Sequence, residues 1–252
     1  MRNLILSTFL VLITYSAEAQ DINTLLQQTL GNQGVKMEPD NDPFRPNAFI
    51  GSFRMEVHAY DAEGKELQTP TDIRYWSSAD MTLIQASVPD SKRKEDMKML
   101  SDLKGKWQYM LMSDGTTRTA MKSRKMKITL ADTTKIELSA QDVRITTETR
   151  VIDGHPCRKV VVTNEEGTWT GWMAEDLPTP FADMAANTSA PDQDLARRMA
   201  DVKGFPMEYE WTETSSGQRV QCFMKDLRAG AVDPSVFSLD GYSVLELPVF
   251  GR

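Results

Sequence analysis

From Phe53 onward, apolar and polar side chains alternate. Phe53, Met55 and Val57 are separated by Arg54, Glu56 and His58. A period of two turns one face of a β-strand to a core and the other to water. "DAEGKE" at 61–66 turns the chain, and return strands follow through Ile73 and Tyr75 and through "MTLIQAS" at 81–87. The alternation resumes in "KWQYMLM" at 106–112, turns at "SDGT", returns through "TRTAM" at 117–121 and reaches "KMKITL" at 125–130. A second run of strands starts at Val143, Ile145 and Thr147 and passes the hairpin turn "NEEG" at 164–167. A final hairpin carries Met207, Tyr209 and Trp211 out, and Val220, Cys222 and Met224 back, around "SSGQ".

Three segments carry helical spacing instead. Ile22, Leu25, Leu26 and Leu30 fall on one face before Gly31, where a helix stop is expected. Met97, Leu100 and Leu103 share one side of a short helix within 90–105. Phe181, Met184, Leu195, Met199 and Val202 suit one or two helices after Asp176. Between the first helix and the first strand, "MEPDNDPFRPNAF" carries three prolines and reads as an extended connector. Consecutive hairpins with helices set apart from them predict an α+β fold, an antiparallel sheet covered by helices. They do not fit a dinucleotide-binding fold, which needs repeating strand–helix units.

The first nineteen residues stand outside that pattern. Arg2, an apolar run from Leu4 to Tyr15 and Ala17-Glu18-Ala19 read as a cleaved signal peptide, residues 1–19. The run is shorter than the roughly 20 residues that span a bilayer. No cysteine stands at the cut, where Gln20 follows, so no lipid anchor is expected. The expectation is a soluble periplasmic or secreted chain, not an integral membrane protein, with residues 20–252 as one domain. A net charge of −7 weighs against nucleic acid, whose binding is driven by Lys and Arg neutralising phosphates. Two basic runs, "SKRK" at 91–94 and "KSRKMK" at 122–127, either meet an anionic membrane surface or form solvated faces. Cys157 and Cys222 lie in strand-like segments of an exported chain, so they are a candidate disulfide; two buried thiols are the alternative.

Catalytic signatures are missing from the sequence. No GxSxG elbow, Walker loop, GxGxxG or CxxC occurs. His58 sits in a strand on the side opposite Phe53 and Met55, and His155 sits in the turn "DGHP"; neither has zinc-ligand spacing. Asp40 and Asp42 hint at calcium, but the glycine and glutamate of an EF-hand loop are absent. The expectation is therefore no enzyme, no cofactor and no metal.

What the chain does have is bulk. Fifteen methionines include Met55, Met110, Met112, Met121, Met173, Met207 and Met224 in strand-like runs, with Trp107, Trp169, Trp172 and Trp211 nearby in the pattern. Flexible thioethers and large rings either fill a core or line a cavity that accepts apolar ligands.

The order of features resembles the periplasmic lipoprotein-carrier superfamily: a helix after the signal, strand hairpins, "SDGTT" in a central hairpin and the tail "VDPSVFSLDGY". "IDGHPCRKVVV" followed by "TWTGWMAEDLPTP" resembles an uncharacterised exported family of Gram-negative envelopes related to the GLPGLI-type proteins, although the GLPGLI sequence itself is absent. The resemblance implies a strongly curved, open antiparallel half-barrel with helices covering its concave side. It implies binding of a lipid, a lipidated chain or another hydrophobic partner without catalysis. The interior would then draw on Met55, Met110, Met112, Trp172, Tyr209 and Trp211, with Phe181, Met184 and Met199 as a lid. The alternative is an envelope interaction or structural protein with a filled core and no small ligand.

Overall fold

The computed structural model of the protein describes residues 35–87, 96–113, 115–130, 142–179 and 203–247. Among these described residues fourteen strands form: β1 Val35–Pro39, β2 Gly51–Tyr60, β3 Thr71–Ser77, β4 Met81–Ser87, β5 Asp96–Asp102, β6 Trp107–Ser113, β7 Arg118–Arg124, β8 Met126–Leu130, β9 Asp142–Ile152, β10 His155–Thr163, β11 Gly167–Ala174, β12 Phe205–Glu213, β13 Arg219–Ala229 and β14 Ser243–Glu246. Twelve of them make one open sheet, in the order β14-β7-β6-β5-β4-β3-β2-β13-β12-β11-β10-β9. β1 and β8 pair separately as a two-stranded ribbon.

The order has a simple origin. β2 to β7 form one antiparallel meander and β9 to β13 another, each with strands that neighbour in sequence order, β11 and β12 being joined through residues 175–204. One long-range seam joins them, β13 against β2, with Met224 opposite Met55 and Cys222 opposite Val57. β14 closes one edge as a short parallel strand on β7. Local turn chemistry supports the hairpins. At the β9–β10 turn, Asp153 and Gly154 both take positive φ, 49° and 86°, the primed geometry that matches strand twist.

The sheet bends toward one face, here called the inner face. β2 and β12 are two strand spacings apart, roughly 10 Å on a flat sheet. Yet the Phe53 and Phe205 rings meet with centroids 5.3 Å apart, and the Tyr209 hydroxyl donates to Met55 Sδ at 3.5 Å. Irregularities in pairing at Trp172/Met173 and at Lys225/Arg228 assist such bending.

Two cores lie on opposite faces. On the inner face, Phe49, Phe53, Met55, Ile73, Tyr75, Phe205, Met207, Cys222 and Met224 are buried together. On the outer face, Leu83, Leu100, Leu111 and Ala120 are buried under the tail, through Phe237 with Val236, Leu239 and Tyr242 beside it. Phe237 sits in a 3-10 turn, Pro234–Phe237, whose start is capped by Asp233 accepting from the Ser235 amide.

The α+β expectation is corrected by this architecture. Among the described residues there is no α-helix, and the single 3-10 turn packs on the outer face, so no described helix covers the concave side. The helix expected within 90–105 is strand β5, which pairs with β4 and β6. Met97, Leu100 and Leu103 do lie three apart, but Met97 and Met99 face one side of the sheet while Lys98 and Leu100 face the other. Two neighbouring strands offer ladders on both sides, and tertiary pairing overrides local spacing. The helices expected at 22–31 and 181–202 lie outside the described residues.

Candidate functional site

Cross-strand register fixes what the inner face presents, because directly paired residues share a face. Its middle is filled. Phe49, Tyr75 and Phe205 are fully buried, and Phe53 stacks on Tyr75 at 5.0 Å between centroids. On one side of this plug, Val160, Val162, Trp169 and Met173 are buried together, with Tyr209 and Trp211 half-buried against them. Two glycines make that packing feasible. A Cβ on Gly171 would lie 2.0 Å from the Trp169 indole, and one on Gly167 would lie 2.5 Å from the Trp211 indole. Each ring therefore lies flat over bare backbone, and Trp169 stacks with Tyr209 at 5.9 Å. At the β9 edge, Val143 and Ile145 face the same side, opposite Val162 and Val160, and remain exposed.

On the other side of the plug the face turns to methionine. Ile84, Met99, Met110, Met121 and Leu245 form one cross-strand row over β4, β5, β6, β7 and β14. Met97 and Met112 pair in the adjacent row. Met97, Met110 and Leu245 are 43%, 36% and 56% exposed. The inner face is thus a filled aromatic centre flanked by two apolar wings that solvent reaches.

The sequence-nominated residues divide accordingly. Met55, Tyr209 and Trp211 lie on the inner face at or beside the plug, and Met110 and Met112 lie on it in the methionine wing. β6 is four strands from β2, about 19 Å away, so these residues share a surface and not one spot. Trp172 alternates to the opposite side. It pairs with Lys159 and Glu208, and the Arg150 guanidinium lies 4.1 Å over its ring, although the indole also packs against the rim of the central cluster. Phe181, Met184 and Met199 lie outside the described residues. Trp169, Phe205, Met97, Met99 and Met121 belong to the face without having been nominated.

Cys157 and Cys222 are both buried and free. They stand on β10 and β13, three strand spacings apart, about 14 Å, whereas bridged cysteines need Cα atoms within roughly 7 Å. Burial pushes the Cys222 thiol up to about 12, with the Tyr209 hydrogen bond opposing it, and burial also raises Cys157. Neither is an activated nucleophile. His155 Nδ1 lies 2.8 Å from Asp176, but the Cys157 thiol turns to the His155 carbonyl, not to its ring.

Two polar sites lie off the inner face. The buried Asp40 carboxylate accepts from Lys125 Nζ at 2.8 Å and Lys106 Nζ at 3.2 Å. Burial disfavours its charge, but these two ammonium groups outweigh that and lower its pKa. Asp40 is committed to lysines, so the calcium hint has no support there. It lies in a polar cleft of about 430 Å³, lined by residues including Asn41, Asp42 and Arg124. His58 bridges Glu66 at 2.7 Å and Glu56 at 2.8 Å; burial opposes its protonation, and the carboxylates nevertheless raise its pKa. No group of three or more His, Cys, Asp or Glu able to hold a metal occurs among the described residues. No helix there is long and apolar enough to cross a membrane.

Several solved structures are similar to the chain at low identity. PNGF-II is 16% identical, with a TM-score of 0.35 over 78% of this chain, and the chain spans 32% of that protein's length. A LolA superfamily protein from Nitrosomonas europaea is 9% identical, with a TM-score of 0.32 over 85% of this chain and 97% of its own. A putative outer membrane lipoprotein-sorting protein domain from Vibrio parahaemolyticus is 10% identical, with a TM-score of 0.19 over 74% of this chain and 89% of its own. No curated protein sequence matches. A family model described as a domain of unknown function matches residues 49–240, from the lead-in to β2 through the tail that packs on the outer face. The chain belongs to that family, DUF4412.

Proposed function

We propose that the protein is an exported, non-catalytic binding protein that holds a lipid, a lipidated chain or another hydrophobic partner against the inner face of its sheet. Residues 1–19 act as signal peptide in this reading, and residues 20–252 fold as one domain in the periplasm or outside the cell. The observation that carries it is the pair of solvent-reached apolar wings on one face. Met97, Met110 and Leu245 on one wing and Val143 and Ile145 on the other are all more than a third exposed. Exposed apolar residues gathered on one surface favour a partner, because covering them removes area from water at about 25 cal/mol per Å². Thioethers suit this role, since they repack around variable shapes.

A second reading has one observation in its favour. Phe49, Phe53, Tyr75 and Phe205 fill the centre of the same face, as in an envelope interaction protein with a full core and no small ligand. Titration with a fluorescent fatty acid separates the two. The first reading expects saturable binding, weakened at least tenfold by Met112→Asp or Trp211→Asp in variants that keep the native circular dichroism spectrum. Absence of saturable binding by the native protein contradicts it and favours the second.

A further inference from the structure

The methionine wing has a chemistry that greasy packing alone does not require. Met99, Met110 and Met121 occupy one cross-strand row on three adjacent strands, and Met97 pairs with Met112 in the next row. Leucine would supply the same apolar area, with better-defined rotamers. What methionine adds is sulfur. The Gln108 amide donates to Met99 Sδ, so at least this lone pair is directed at a polar partner and is not sealed in hydrocarbon. The rows hold no charge. Around the thioethers on this face register places Ile84, Ser101, Gln108, Thr119, Ser123 and Leu245, while Lys98 and Lys122 alternate to the outer face.

We propose that Met99, Met110 and Met121, with Met97 and Met112 beside them, form a thioether site for the soft cation copper(I). Neutral thioethers select copper(I), whereas calcium, magnesium and manganese need a set of hard oxygen ligands, and register places no carboxylate in this patch. The geometry permits convergence. Met99 and Met121 are two strand spacings apart, about 9.6 Å, with Met110 midway, and each sulfur stands beyond Cβ on freely turning torsions. Partial exposure gives an entry path. On binding, the Gln108 amide releases Met99 Sδ to the metal. The site does not depend on the apolar-ligand reading.

The test uses the full chain under anaerobic conditions, with copper(I) supplied from a bicinchoninate competitor. The expected result is one copper(I) per chain, with affinity falling at least tenfold in M99L/M110L/M121L and severalfold in M110L alone. Leucine for methionine roughly conserves volume, so both variants should unfold near the native urea midpoint, and M110L serves alone if the triple variant does not fold. A second readout locates the ion: with methyl-labelled methionine, silver(I) nitrate should shift the resonances of Met97, Met99, Met110, Met112 and Met121. Equal copper(I) affinity in M110L and the native protein overturns the proposal. So do unmoved resonances of those five methionines alongside shifts at Met55 and Met224, near the buried Cys222 thiol. Fatty-acid binding without copper(I) binding overturns this site alone; copper(I) binding without fatty-acid binding overturns only the apolar-ligand reading.

Discussion

Replacing Gly171 with alanine tests how the inner face is packed. Gly171 is not among the glycines with positive φ, so backbone strain plays no part. The cost is steric. The added Cβ would stand 2.0, 2.5 and 2.7 Å from three atoms of the Trp169 ring, against an ordinary carbon contact of about 3.5–4.0 Å. The ring must move by more than an ångström, and it is only 8% exposed, packed with Val160, Val162 and Tyr209. Overpacking of this kind costs about 1–3 kcal/mol, and losing the Trp169–Tyr209 stack costs about 0.5–1.5 kcal/mol more. We expect Gly171→Ala to destabilise by about 2–3 kcal/mol, lowering Tm by about 5–10 °C for a domain of this size. Urea unfolding followed by tryptophan fluorescence measures it. The double variant G171A/W169L should recover at least ~1 kcal/mol relative to the sum of the single changes, because a smaller side chain makes room. A single-variant cost below ~0.5 kcal/mol, or strict additivity in the double variant, refutes the packing argument.

Other outcomes follow from the polar sites. Asp40→Asn should cost roughly 3 kcal/mol by removing the charge of a buried carboxylate paired with the Lys125 and Lys106 ammonium groups; a urea midpoint within error of native contradicts this. Asp40 has a lowered pKa, so its contribution is present above the ordinary carboxylate range and is lost as pH falls through that depressed value. His58 has a raised pKa, so its stabilising share is complete below about pH 6.5 and fades as pH rises through the raised value. The stability gap between native protein and His58→Gln should therefore narrow from pH 5.5 to 8.5, and a constant gap counts against the Glu56–His58–Glu66 bridge. Both thiols are buried with raised pKa values, so iodoacetamide should label neither in the native state and both in urea without reductant. A chain that resists labelling in urea until reduced would mean a disulfide.

The strands were legible where alternation was clean. Phe53, Met55 and Val57 against Arg54, Glu56 and His58 state both the element and its buried face. β5 was not legible, because two of its apolar residues, Met97 and Leu100, and their neighbour Leu103 mimic helical spacing, and its neighbours in the sheet are set by pairing. Trp169 and Trp172 differ by three positions, so alternation sends them to opposite faces. Which one turns inward depends on register with Trp211 on β12, a contact across 42 positions that no local pattern encodes. The same holds for the seam of β13 on β2, where Met224 meets Met55, and for the placing of β11 and β12 between Cys157 and Cys222.

Native mass spectrometry offers the most direct test of whether the inner face holds an apolar partner. The full chain would be expressed with its N-terminal segment in a Gram-negative host and recovered from the periplasm without detergent. The account predicts a population carrying the added mass of a bound lipid, displaced by excess fatty acid and absent from Met112→Asp. A single peak at the mass of the bare processed chain, unchanged after incubation with fatty acid, would contradict it.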